Sequence, residues 1–290
     1  TASILEEEQD IAPDWRARFQ RNLREDSERL AESTGALVRY LDDQASAGVK
    51  QRTPAEEFDE FLAASAYHFP ELEGKAAADP EEVLAGTEAV LSEAARGVAR
   101  SHLSRYRQDA AAMPLAEFSS TAHAVQFDPA ALMQTFGVDL ASVFRRLSSL
   151  PPHETGTHFG LVTCDASGTL LYRKPIDGFA VPRYGGACPL WPLYQALLRP
   201  MAPIRRVVEV VGRSPVRFMT YAVSQPRQPS RIGGPEVVEA TMLIVSLQLL
   251  EQFGGDTGLP VDLDVGMACR VCPRRGCAAR NEPSILVDAV

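Results

Sequence analysis

The sequence predicts an α+β protein, with an all-helical N-terminal region, a small α+β domain after it and a cysteine-rich metal loop near the C-terminus. Three observations support this fold class. Helically spaced apolar residues and alanine-rich stretches dominate up to about residue 150. After Pro151 and Pro152, short strand-like runs alternate with turns that contain glycine. Near the C-terminus, three cysteines fall within nine residues.

The composition is that of a folded chain, and its charge argues against a protein that coats nucleic acid. The 290 residues are 45% hydrophobic and 23% charged, which is enough for two domains. A formal net charge of -9 opposes the positive surface that displaces counterions from DNA. We recognise no signal peptide and no run of about 18 apolar residues, so we expect a cytoplasmic protein without a membrane segment.

The first half divides into a predicted helical arm at 1–52 and a predicted helical domain at 53–152. One long amphipathic helix is expected over 13–45, either packed or forming a dimer arm. Thr53 and Glu56 have the spacing of a capping box at the start of the next helix. An alanine-rich helix should then run over 79–113.

A short helix, a glycine turn and a second helix follow at 128–150, with the spacing of a helix-turn-helix. A DNA-reading helix carries side chains for base edges and phosphates near its N-terminus. Here that first turn holds Asp139 and Leu140, and the basic pair Arg145 and Arg146 comes late. The composition therefore favours a structural role for this pair.

Beyond the two prolines, the pattern predicts a small α+β sensor domain of the GAF-like type at 153–262. The runs 159–164 and 169–173 form a predicted hairpin around a four-residue loop. Further strand-like runs lie at 206–211, 216–223 and 258–265, and a helix is expected at 189–198, whereas 236–253 reads as either a buried helix or a strand.

The cysteine-rich tail, 263–290, carries the strongest chemical signal. Its Cys269, Cys272 and Cys277 are spaced C-x2-C-x4-C around a proline and a glycine. Cys188, in the segment Arg-Tyr-Gly-Gly-Ala-Cys-Pro-Leu-Trp, is the candidate fourth ligand, and Cys164 is spare. Four neighbouring arginines could compensate the negative charge of a four-iron cluster, so we favour such a cluster. A zinc site, or thiols and disulfides without metal, stays open.

Basic residues mark a candidate binding site for a large anion. Arg173, Lys174, Arg183 and Tyr184 lie close to apolar strand-like runs, where they could hold phosphates while apolar walls take an acyl or adenine group. Arg100 and Arg105 belong to a row of arginines on the alanine-rich helix and could wall the same cavity. The alternative is scattered surface charge on a solvated helix face.

Enzymatic motifs are weak. The segment from His153 to His158 reads H-E-x-x-x-H, one residue too long to place two histidines one helical turn apart. We find no G-x-S-x-G, phosphate-binding or dinucleotide-binding fingerprint.

Together, the motif Cys-Arg-Val-Cys-Pro-x-x-x-Cys, the Cys188 segment and Tyr-His-Phe-Pro-Glu-Leu at 67–72 resemble the short-chain fatty acyl-CoA-responsive transcriptional regulators. The likeness spans about 53–283 and is greatest to members that regulate propionate and glyoxylate-type carbon metabolism. The section 102–150 also resembles ImmA/IrrE-type proteins beyond their catalytic helix, but this chain has no H-E-x-x-H, so peptidase activity is not implied.

The resemblance implies a non-enzymatic regulator that binds propionyl-CoA or a related acyl-CoA and holds a 4Fe-4S cluster on Cys188, Cys269, Cys272 and Cys277. It also implies action on operator DNA, through an XRE-type helix-turn-helix that we do not find in this chain, and we expect a homodimer. Two alternatives remain: a CoA-dependent transferase or hydrolase that uses Cys164 or Cys188 with a histidine, and an interaction module stapled by zinc.

Overall fold

The structure, a computed structural model, describes residues 18, 20–28, 31, 34–35, 38–39, 52–74, 76–183, 186–212, 214–227, 233–234, 236–254 and 258–286. The chain divides into two compact units, Thr1–Thr53 and Pro54–Val290. In the first unit, the described residues from 18 to 39 are helical. The rest of the helix predicted at 13–45 lies outside the described residues.

Six helices open the second unit. They are α1 (Pro54–Ala64), α2 (Pro80–Gly86), α3 (Glu93–Ala112), α4 (Leu115–Ala124), α5 (Pro129–Phe136) and α6 (Leu140–Ser148). The prediction of a single alanine-rich helix over 79–113 is wrong, since α2 ends at Gly86 and α3 begins afresh. The Ser92 side chain accepts a hydrogen bond from the Ala95 amide at 3.3 Å, which is the cap that starts the new helix.

A buried ion pair fixes the helices to one another. The Arg146 guanidinium, 1% exposed, donates to both Glu73 carboxylate oxygens at 2.7 Å. The Tyr106 hydroxyl donates to the same carboxylate at 2.6 Å. Burial favours the protonated form of Glu73, but these donors and the arginine charge outweigh it and lower the pKa of this carboxyl. Glu73 thereby joins α3 and α6 to the turn at Pro70–Leu72.

The α+β prediction is confirmed, because a six-stranded sheet follows these helices. Its strands are β1 (Phe159–Asp165), β2 (Leu170–Lys174), β3 (Ile204–Val210), β4 (Val216–Pro226), β5 (Val238–Ser246) and β6 (Leu263–Val265). Their order is β2-β1-β5-β4-β3-β6, antiparallel throughout except for the β3–β6 pair. The predicted hairpin at 159–173 is present as β1 and β2.

The ambiguous run at 236–253 contains both kinds of element, β5 followed by the helix α8 (Leu247–Gln252). Seven consecutive residues of β5 are buried. A strand covered on both faces loses the polar alternation by which a strand is recognised, so the two elements could not be separated from composition. The strand expected over 258–265 is confined to β6.

The two faces of the sheet pack against different layers. One face, which includes Leu161 and Val245, packs against Phe118, Phe144 and Leu147 of the helical region. The opposite face, with residues such as Ile244, packs against the short helix α7 (Pro192–Leu197) and the Cys188 segment. Among the described residues, no helix is both long and apolar enough to span a membrane.

Candidate functional site

The cysteine-rich tail folds into a loop whose carbonyl groups are held by residues that follow it. The Arg280 guanidinium donates to the Cys269 carbonyl oxygen at 3.2 Å, and it also contacts the Arg274 carbonyl. The Ser284 hydroxyl donates to the Cys272 carbonyl oxygen at 2.8 Å. Gly276 has φ of 65°, the left-handed conformation that glycine adopts without strain. The backbone between the cysteines is therefore fixed locally.

A second segment brings Cys188 to this loop. The Cys188 amide donates to the Met267 carbonyl oxygen at 2.9 Å. Trp191 is fully buried, and its indole N–H donates to the Gly266 carbonyl oxygen at 2.8 Å. These bonds join residues far apart in sequence, and they place Cys188 beside the backbone that leads into Cys269.

The four candidate ligands line one small cavity of about 10 Å³. Cys188, Cys269 and Cys272 are buried, and Cys277 is half-buried. All five cysteines belong to the described residues and are free thiols. Burial raises the pKa of the Cys188 thiol, and Cys269 and Cys272 lie near enough to add to the shift. The structure thus brings together the four cysteines that the sequence singled out.

Four thiols that line one cavity are a donor set that both zinc and four-iron clusters use. In the described part of the chain, no group of three or more His, Cys, Asp or Glu side chains is arranged to hold one metal ion. Arg274 and Arg280 line the cavity, while Arg270 and Arg275 are exposed.

Cys164 lies elsewhere, on β1, with its side chain in the core. Its side chain is fully buried among apolar residues, and it does not line the cysteine cavity. Burial, together with the Asp165 charge, raises the pKa of its thiol to about 12. A thiol of that kind is protonated near neutral pH and is a poor nucleophile.

A second site is a cleft between the helices and the sheet. It has a volume of about 130 Å³, is partly open to solvent, and lies between α1, α3 and α6 on one side and β1 and β2 on the other. One end is aromatic, with Phe58, Tyr67, His102, Tyr106 and Tyr172 in its walls. The rings of His102 and Tyr172 stack with their centroids 5.3 Å apart and their planes 13° from parallel.

His102 is a neutral member of this aromatic wall. The ring is partly exposed at the cleft and contacts Phe58 and Phe69 edge-on. Burial, with the charges of Arg105 and Arg145, lowers the pKa of His102 to about 3. The imidazole therefore serves as a flat aromatic surface, and Tyr172, whose pKa is raised by burial, keeps its proton.

The other end of the cleft is charged. Arg145 donates to both carboxylate oxygens of Asp109, at 2.6 and 2.9 Å. Glu239 approaches two more arginines, with Oε2 at 3.2 Å from Arg105 Nη1 and Oε1 at 3.5 Å from Arg227 Nε. Three guanidinium groups and two carboxylates thus meet at this end, an arrangement suited to anionic groups of a ligand.

The predicted ligand-binding residues that the structure describes do not gather in the cleft. Arg105 lines it, whereas Arg100 pairs with Glu81 on the exposed side of α3. Arg173 pairs with Asp59 at 3.4 Å.

The other three predicted residues differ in how far they are buried. Lys174 is buried, donates to the Ser148 carbonyl and lies 5.5 Å above the Tyr67 ring; burial lowers its pKa to about 7. Arg183 is exposed, and Tyr184 lies outside the described residues.

Several cleft residues were missed by sequence reasoning. Arg227, Glu239 and Tyr172 had no local motif to mark them, and Arg145 was considered only as part of a helix pair. Asp109 and Arg145 are 36 residues apart, and Arg105 and Glu239 are 134 apart. Such pairs become visible only when the helices lie on the sheet.

Comparison with known proteins gives a consistent picture for the C-terminal half. The family model described as "Short-chain fatty acyl coenzyme A regulator, C-terminal" matches residues 151–289. A solved structure titled "Mycobacterium tuberculosis transcriptional regulator" is similar, with a TM-score of 0.58 and 27% identity; the match covers 81% of this chain and 70% of that one.

Curated relatives point the same way. The HTH-type transcriptional regulator PrpR of Mycobacterium tuberculosis is 31% identical over 208 residues, covering 69% of this chain and 42% of PrpR. The propionyl-CoA carboxylase regulator of Cereibacter sphaeroides is 29% identical over 199 residues, covering 66% of this chain and 42% of that protein. The chain therefore spans less than half the length of these relatives.

Proposed function

We propose, from the premise that residues 151–289 belong to the short-chain fatty acyl-coenzyme A regulator family, that this chain is the ligand-sensing part of a transcriptional regulator. In this proposal the helix–sheet cleft binds a short-chain acyl-CoA such as propionyl-CoA, and the four-cysteine cavity holds a 4Fe-4S cluster. The observation that carries the ligand assignment is the division of one cleft into an aromatic end and an arginine end.

An acyl-CoA has the same division of chemistry. Its phosphates are multiply charged, and arginine is the side chain that best matches phosphate geometry. Its acyl and pantetheine groups are apolar or weakly polar and would lie against Tyr172, His102 and Phe58. The neutral state of His102 supports this placement, because an imidazolium would repel the nearby arginines and disfavour apolar contact. Phosphates would then meet Arg105 and its neighbours.

The cluster assignment is supported by the four thiols that line a common cavity and by their spacing. When bound, such a cluster would supply a redox-sensitive inorganic core. Cys188, Cys269, Cys272 and Cys277 would hold it, so that the C-terminal tail is tied to the segment before α7. Arg274 and Arg280, which line the cavity, would offset its negative charge.

The action on transcription is also part of the proposal. The relatives are named as regulators, and we extend this activity to the chain. The expected partners are operator DNA and a second copy of the chain, with which it would form a homodimer. A GAF-like sensor is the proposed class of the six-stranded sheet domain. The physical mechanism is a population shift, in which the ligand favours one arrangement of helices and sheet over another.

Calorimetric titration with propionyl-CoA tests the ligand assignment. We expect binding to the wild-type chain, and Arg105→Gln should weaken it about tenfold, the effect of losing one charge-assisted hydrogen bond. Arg100→Gln is the matched control, because Arg100 lies on the same helix but pairs with Glu81 outside the cleft. If both variants weaken binding equally, the proposed position of the ligand in the cleft is wrong, and the ligand lies instead on the exposed side of α3.

Two further measurements bear on the alternatives. Iron and sulfide analysis of anaerobically purified protein, with its visible absorption, tests the cluster directly; zinc in equimolar amount with neither iron nor sulfide would overturn it. Incubation with propionyl-CoA followed by assay of free CoA tests the regulator assignment. Steady release of CoA would instead indicate a transferase or hydrolase, a reaction for which the raised pKa values of Cys164 and Cys188 are unfavourable.

A further inference from the structure

The charged end of the cleft continues into a second cavity on its far side. That cavity has a volume of about 260 Å³ and adds polar residues such as Asp139, Gln225 and Thr241. The residues that line both spaces are Arg105, Asp109, Arg145, Arg227 and Glu239. These five side chains therefore form a charged partition between an aromatic compartment and a polar one.

Glu239 is the centre of this partition. It stands near the start of β5, is 9% exposed, and lies on the face of the sheet that also carries Thr241 and Leu243. The Thr241 hydroxyl lies 3.3 Å from that of Thr163, so a short polar stripe crosses an otherwise apolar sheet face. A carboxylate this deeply buried needs cationic partners, and Arg105 and Arg227 are the arginines that approach it.

The partition is not uniformly tight. Arg145 is held by two short bonds to Asp109 and by a third, at 2.8 Å, to the Ser142 hydroxyl. Arg105 and Arg227 contact Glu239 through longer single approaches, and their side chains are 31% and 47% exposed. Arg145 is thus a fixed part of the wall, whereas Arg105 and Arg227 can exchange one anionic partner for another.

We infer that the Glu239 carboxylate occupies the anion subsite of the cleft, so that a phosphate group of the ligand must displace it from Arg105 and Arg227. The inference deepens the proposed function and rests on it for the identity of the ligand. Glu239 would act as an internal competitor that lowers affinity and sets the concentration at which the ligand is sensed. It also favours ligands whose phosphates carry more than one charge, since these outcompete a single carboxylate.

The experiment uses two probes, inorganic pyrophosphate and propionyl-CoA, titrated calorimetrically into the full chain. Glu239→Gln keeps the shape of the side chain and removes its charge. We expect this variant to bind both probes about tenfold more tightly than the wild type, because the competing charge is gone. Glu209→Gln is the matched control: Glu209 also pairs with an arginine of a neighbouring strand, Arg217 at 3.0 Å, but outside the cleft. Its affinities should be unchanged.

A merely structural role for Glu239 predicts the opposite sign, because a damaged cleft binds less. Unchanged or weaker pyrophosphate binding by Glu239→Gln would overturn the inference. Glu239→Asp, which keeps the charge but shortens its reach, should tighten binding to an intermediate degree, and it serves if the glutamine variant fails to fold. If pyrophosphate binding tightens while no variant binds propionyl-CoA, the proposed ligand is wrong and the competing role of Glu239 is supported. If propionyl-CoA binds but pyrophosphate binding does not tighten, only the competing role of Glu239 is wrong.

Discussion

The cysteine cavity and the helix–sheet cleft are built in different ways. The cavity is small, and its walls are held largely by bonds to backbone carbonyls, such as those made by Arg280, Ser284 and Trp191. The cleft is larger, and its chemistry comes from side chains that meet across long sequence separations. The comparison shows that a local cysteine motif can be read from its spacing, whereas a site formed by single side chains from distant elements cannot.

The largest expected effect tests whether the cavity depends on its one distant member. Cys188→Ala removes the proposed ligand that would connect the tail to the sheet domain. We expect this variant to lose most of its iron and sulfide and its visible absorption after anaerobic purification, because three thiols leave one coordination position unfilled. Cys164→Ala is the control, since Cys164 is buried outside the cavity, and it should keep its iron. Equal iron in the two variants would show that the four cysteines do not act together.

A second prediction tests the cleft through the ion pair that supports its helices. Glu73→Ala leaves the buried guanidinium of Arg146 without its carboxylate. We expect the free energy of unfolding to fall by about 3–5 kcal/mol, the usual cost of an uncompensated buried charge. Denaturant unfolding followed by circular dichroism measures this. Glu71→Ala, an exposed acid in the same turn, is the control and should change stability by less than about 0.5 kcal/mol.

A smaller effect is expected from a change beside a thiol. A Cβ added at Gly266 would lie 2.9 Å from Cys272 Sγ, whereas nothing lies within 4 Å of the corresponding position at Gly186. Gly266→Ala should therefore displace Cys272 and lower the iron content in part, while Gly186→Ala should not. Iron retention during incubation with a chelator distinguishes the two. Identical retention would indicate that the loop can move away from the added methyl group.

The smallest effect concerns the pH dependence of the cleft. The pKa of His102 is lowered from 6.5 to about 3, so below pH 6.5 the unfolded chain binds a proton that the folded chain does not. The contribution of His102 to the free energy of unfolding is complete above pH 6.5. Below that pH it falls by about 1.4 kcal/mol per pH unit until the folded pKa is reached. His102→Phe should flatten this slope in denaturant unfolding at pH 7 and 5, whereas the exposed His153→Gln should leave it unchanged. An unaltered slope in His102→Phe would show that the imidazole is already charged in the fold.

Particular elements show how far the sequence carried the prediction of the fold. The hairpin at β1 and β2 was predictable, because its apolar runs flank a turn containing Asp165 and Gly168. The division of the alanine-rich stretch was not, since alanine favours helix throughout and the break depends on the Ser92 cap and on burial of Leu91. For β5 and α8, burial on all sides removed the periodicity that separates strand from helix.

The two sites also differ in how far they could be predicted from the sequence. Spacing alone grouped Cys269, Cys272 and Cys277, and Cys188 was found because cysteine, proline and tryptophan stand together after paired glycines. For the cleft, the predicted Arg105 does line it, whereas Arg173 and Lys174 of β2 bond to Asp59 and to the Ser148 carbonyl and are not part of its lining. Glu239 could not be found, because a single acid at the start of a strand resembles any exposed residue until the helices cover it.

The central strand β5 contributes side chains to both layers of the domain, the one that contains Cys188 and the one formed by the helices. Alternate side chains along it point in opposite directions, so that Met242 and Ile244 face the layer containing Cys188, while Leu243 and Val245 face the helices. Protein interiors are closely packed and transmit strain, so a displacement of β5 from one face also alters the packing on its other face. A change at the cysteine cavity could therefore influence the cleft through displacement of this one strand, without a chain of contacts around the sheet.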